Sequence, residues 1–123
     1  MIFGIGLGRT GTRSLTEALR LMGLNAVHWD DRGAHILDRW HESDLSMPDN
    51  LDAFIEGPFV RWWRAADRLH PGSRFILTTR DKAAWLESVE RWMTRSEPSV
   101  GDEWFNRRLF YWGTARFHRD LFS

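Results

Sequence analysis

The chain has 123 residues, 42% of them hydrophobic, with 17 basic residues against 17 acidic ones and no cysteine. That length suits one domain able to bury most of the surface its unfolded form exposes. Missing thiols exclude a disulfide framework, a thiolate metal site and a cysteine nucleophile, and the charge balance excludes a global field that would draw the chain to nucleic acid or an anionic membrane.

Taken in chain order, Met1 to Ile5 is a short apolar run, followed by a loop with glycines at 4, 6, 8 and 11 and then by SLTEALRLMG. This reads as strand, turn, helix. Thr12 or Ser14 is placed to cap the helix; Leu15, Ala18, Leu19 and Met22 make its apolar stripe, and Gly23 sits where a glycine ends a helix. Leu24 to Trp29 reads as a second strand, Gly33 to His41 as a helix, and SDLSMPDN as a polar connection. Ala53 to Ile55 is a short buried strand. Pro58 starts a helix that runs through RWWRAADRL and stops at His70, Pro71 and Gly72.

RFILTTR, ending at Arg80, is the clearest strand, and Asp81 is placed to cap a helix along which Trp85, Val89, Trp92 and Met93 recur at helical spacing. Ser96 to Asp102 breaks that helix, and Trp104 to Phe122 is a final aromatic stretch. Strands alternating with helices predict an α/β fold: a three-layer arrangement of a parallel sheet flanked by helices. No run approaches the roughly 18 apolar residues that span a bilayer, and Met1 leads straight into the glycine-rich turn, so a cytoplasmic protein is the expectation.

The loop Gly6 to Ser14, GLGRTGTRS, lies between a strand and a helix, where backbone N–H groups and the helix dipole favour an anion. Three chemistries use such a loop. Gly6, Gly8 and Gly11 spell the GxGxxG of dinucleotide binding, with Asp30 or Asp31 at about the distance of a ribose-binding acid. Gly6 to Gly11 also match the GxGRTG of tyrosine phosphatases, whose nucleophilic cysteine would fall at Phe3; without it that activity is discarded. The third is the phosphosulfate loop, in which a basic residue precedes a small residue, Gly and Thr, as Arg9, Thr10, Gly11 and Thr12 do. ATP or GTP hydrolysis is disfavoured, since Thr12 stands where the lysine of GxxxxGK[ST] would be and Arg13 where the magnesium-holding hydroxyl would be.

Arg80 at the end of one predicted strand, and Ser88 on the next helix, complete a second half. A guanidinium there can grip a phosphate in two places, and a hydroxyl adds a donor. Both halves together resemble a family of P-loop sulfotransferases with openings of the form GxGRTGTxSL and a later strand ending LTxRD. That resemblance implies a P-loop nucleotide hydrolase-like fold and the cofactor 3′-phosphoadenosine 5′-phosphosulfate (PAPS). It places Gly8, Arg9, Thr10, Gly11, Thr12, Arg13 and Ser14 around the 5′-phosphosulfate, and Arg80 and Ser88 at the 3′-phosphate.

It further implies sulfuryl transfer to a hydroxyl or amine of a small molecule with no metal, Arg9 supplying stabilising charge. The general base in the wider superfamily is a His or Glu near the end of the strand before LTxR, a place that Glu56, followed by Gly57 and Pro58, occupies; His28 is the alternative. Sulfotransferases continue through a further strand and loop, so a single domain incomplete at its C-terminal end is expected over residues 1–123. Its aromatic final segment is then left uncovered, and self-association follows.

Overall fold

The computed structural model describes residues 1–29 and 47–96. The helix expected over residues 33–41, the acids Asp30 and Asp31, and the aromatic stretch 104–122 lie outside these, as do the first half of the SDLSMPDN connection, the side chain of Met93 and the break after Ser96. Among the described residues the elements are β1 (Ile2–Gly4), α1 (Thr12–Leu21), β2 (Ala26–His28), β3 (Ala53–Ile55), α2 (Phe59–Leu69), β4 (Arg74–Ile76) and α3 (Lys82–Ser96). No helix among them is long and apolar enough to cross a membrane.

All strand pairings are parallel, and the order across the sheet is β2-β3-β1-β4. Register follows the two-residue alternation of side chains. Phe3 stands beside Phe54 and Phe75, and Val27 beside Phe54. These rings point to one face, where Phe59, Ala65 and Ala66 of α2 cover them with Trp29. Ile2, Ala26, Ala53 and Ile55 point to the other, where Leu15 and Leu19 of α1 lie. Each face is apolar because each is covered by a helix, which gives the three layers expected of such an alternation.

Phe3 is the centre of the larger core, fully buried, with its ring 4.5 Å from Phe59 and 5.5 Å from Phe75. The position that would carry a phosphatase nucleophile is therefore a core residue.

Helix ends agree with their signals in three places and differ in one. Gly23, at φ 86°, closes α1 with Leu24 N–H bonded to Leu19 O and Gly23 N–H to Arg20 O, the paired bonds of a Schellman end. Pro58 immediately precedes α2, and Asp81 accepts the Ala84 N–H at 3.1 Å to cap α3. At the start of α1, however, neither Thr12 nor Ser14 is the cap. Gly11 is, in a left-handed conformation, and no side chain bonds the first-turn N–H groups from that position. Thr12 is drawn away by buried partners described below.

RFILTTR forms a strand only over Arg74–Ile76. Its neighbour β1 ends at Gly4, so beyond Ile76 the chain has no ladder to join and Leu77 to Arg80 turns toward the loop instead. Trp29 and Leu24 are likewise trimmed from β2, whose partner β3 is three residues long.

Candidate active site

Close packing shapes the loop before any chemistry does. A Cβ on Gly4 would lie 2.7 Å from Ile55 Cγ2, and one on Gly6 would lie 2.7 Å from the Thr78 carbonyl, so β1 must leave the sheet through glycines. Thr10 donates to Leu7 O at 2.5 Å, and since its only proton is used there, the 2.7 Å contact with Thr78 is donated by Thr78. Trp85 Nε1 donates to Gly8 O at 2.9 Å. Arg9, at φ 70°, and Gly11, at φ 84°, then curl the chain into α1. For a non-glycine residue that conformation costs about 1–2 kcal/mol, and the contacts on either side hold it.

Arg9 is gripped twice. Its Nε donates to the buried Ser88 Oγ at 3.1 Å, and its carbonyl accepts Arg80 Nη1 at 3.3 Å. The two residues read from sequence as a separate phosphate pair thus both converge on the loop.

Behind the loop, three polar side chains are almost fully buried: Thr12, His28 and Glu56, each no more than 4% exposed. They come from three elements: Thr12 opens α1, His28 ends β2, and Glu56 follows β3. Thr12 Oγ1 donates to Glu56 Oε2 at 2.7 Å, and His28 Nε2 lies 3.0 Å from both oxygens. With the threonine proton committed to Glu56, His28 reaches either oxygen only as an Nε2–H donor. Glu56 is held in a left-handed backbone conformation (φ 70°), its N–H bonded to Gly4 O at 2.8 Å, and Gly57 follows against the Trp29 ring. Sequence offered Glu56 and His28 as alternatives, but the fold makes them one pair.

Gly8, Arg9, Gly11, Thr12, Arg13, Ser14, His28, Glu56, Arg80 and Trp92 line one open cleft of about 340 Å³ at the carboxyl end of the sheet. Of the residues expected at the site, Thr10 and Ser88 lie beneath the loop and hold it. Three residues went unread: Trp92 on the cleft, and Trp85 and Thr78 under the loop. Trp85 and Trp92 share a face of α3, and that spacing had signalled only an apolar stripe.

The dinucleotide reading does not survive the topology. Its fold pairs the second strand directly with the first, so that an acid after the second strand meets the ribose. Here β3 stands between β1 and β2.

A parallel sheet flanked by helices, a glycine- and threonine-rich loop from β1 into an α1 with no side-chain cap, and a cleft lined by three arginines make this an α/β domain with a basic cleft at the carboxyl end of its sheet. The chain matches the model of the sulfotransferase domain family over residues 1–123, and it belongs to that family. No curated protein matches it significantly.

Proposed function

We propose that this chain binds PAPS and transfers its sulfuryl group to a hydroxyl or amine of a small-molecule acceptor. One observation carries the reading: the basic anion loop and the buried acid–histidine pair open onto the same cleft. The donor chemistry of the site suits the group, because α1 offers uncapped N–H groups and Arg9, Arg13 and Arg80 supply charge to a polyanion.

In this reading Gly8 to Ser14 surround the phosphosulfate. Arg80 serves the 3′-phosphate from the cleft wall, and Ser88 contributes by holding the Arg9 side chain. Arg9 stabilises charge that develops during transfer; its guanidinium stays protonated, so its contribution is electrostatic. Glu56 takes the acceptor's proton, and His28 Nε2–H steadies the carboxylate.

Calorimetric titration with 3′-phosphoadenosine 5′-phosphate, the desulfated product, and with NAD tests this. The product should bind saturably and NAD should not. Arg80→Ala and Arg9→Ala should each weaken binding roughly 10- to 100-fold, the worth of hydrogen bonds to a charged group. Binding of NAD alone, or an Arg80→Ala variant that binds like the parent, would sink the proposal.

A further inference from the structure

Thr12 sits where a phosphate-loop hydroxyl is expected to face the anion, yet its single proton is already given to Glu56 Oε2 at 2.7 Å. A hydroxyl so engaged offers an anion only lone pairs. The carboxylate it serves stands in the same cleft as the loop and repels any polyanion held there. The other charged or titratable groups on this cleft are Arg9 and Arg13 from the loop and α1, Arg80 from the segment after β4, and His28 from β2. None of the three arginines can give up a proton in working conditions, and His28 already contacts both oxygens of the pair.

Resting on the sulfotransferase reading above, we infer that Thr12 is a proton-gated donor that links proton capture at Glu56 to hydrogen bonding in the anion cleft. While Glu56 is ionised, Thr12 donates to it. When Glu56 carries a proton, the carboxyl O–H donates to Thr12 Oγ1 across the same 2.7 Å contact, and the hydroxyl hydrogen rotates about Cβ–Oγ1 to the cleft that Thr12 lines.

The step balances. The acceptor oxygen forms its bond to sulfur as the bond between sulfur and the bridging oxygen breaks. That electron pair stays on the departing phosphate, and the acceptor's proton goes to Glu56. Thr12 thereby becomes a donor to the cleft in the same event that creates new negative charge there, which is when a donor stabilises the transition state more than the ground state.

The experiment uses Thr12→Val, which keeps the shape and removes the hydroxyl, Thr12→Ser, which keeps the hydroxyl, and Glu56→Gln, an uncharged amide able to donate to Thr12. Affinity for 3′-phosphoadenosine 5′-phosphate, and separately for inorganic sulfate, is read by calorimetry at pH 7, with circular dichroism confirming that each variant is folded. Glu56→Gln should tighten binding of the nucleotide about 10-fold in the parent chain and about 2-fold when combined with Thr12→Val, a coupling of roughly 5-fold. Thr12→Ser should retain the coupling.

An equal gain from Glu56→Gln with and without the Thr12 hydroxyl overturns the inference, as does a large loss from Thr12→Val alone, which would make Thr12 an ordinary anion ligand. Thr12→Ser behaving like Thr12→Val overturns it too, since shape and not the hydroxyl would then matter. If the parent chain binds sulfate with this coupling but not the nucleotide, the PAPS reading fails and the gate stands; if it binds neither, the gate fails as well.

Discussion

Gly6 and Gly72 look alike in the sequence and differ in what they tolerate. A Cβ at Gly6 meets the Thr78 carbonyl, whereas Gly72 has φ 82° and nothing within 4 Å of the added carbon. Gly6→Ala should therefore destabilise by about 1–3 kcal/mol through overpacking, and Gly72→Ala by only about 1 kcal/mol of backbone strain. Urea midpoints of the two variants check the order. Arg9 offers a cleaner test of strain at φ 70°. Arg9→Gly and Arg9→Ala lose the same contacts, so Arg9→Gly should be the more stable by about 1 kcal/mol, read by the same denaturation. That a tight loop carries β1 into α1 was legible from its glycines and its place between strand and helix. That Thr12 faces inward was not, because its partners lie 16 and 44 positions away.

Elements were read well at their centres and poorly at their ends. Hydrophobic period and the signals at Gly23, Pro58 and Asp81 are local, and the structure keeps them. Strand length is a property of the neighbour: β4 stops at Ile76 because β1 stops at Gly4. Asp81→Ala should cost about 1 kcal/mol by removing the α3 cap. Because α3 also presents Trp85 to Gly8 and Ser88 to Arg9, affinity of the loop for 3′-phosphoadenosine 5′-phosphate should fall with it, and calorimetry on the folded variant reads that loss.

At the scale of the molecule, two cores hold the sheet from opposite faces, and they differ in what they contain. The α2 face is aromatic, built on Phe3, Phe54, Phe59 and Trp29, while the α1 face uses small and aliphatic residues with the polar pair at its edge. Phe3→Ala removes a fully buried ring touching Phe59 and Phe75 and should cost about 3–5 kcal/mol. Against a total of roughly 5–15 kcal/mol for a domain, that should abolish or nearly abolish the cooperative thermal transition seen by circular dichroism.

Local chemistry alone determined the class of fold and the glycine-rich strand-to-helix turn of the opening, since glycine spacing, helix ends and two-residue or 3.6-residue periods act over a few neighbours. It also placed Glu56 and His28 at strand ends, as alternatives. Only the tertiary structure decided that β3 lies between β1 and β2, which removes the dinucleotide reading, and that Glu56, His28 and Thr12 form one hydrogen-bonded group. Strand order and side-chain meeting points depend on how crossover connections stack strands that are distant in sequence, and no pattern within a single segment encodes that stacking.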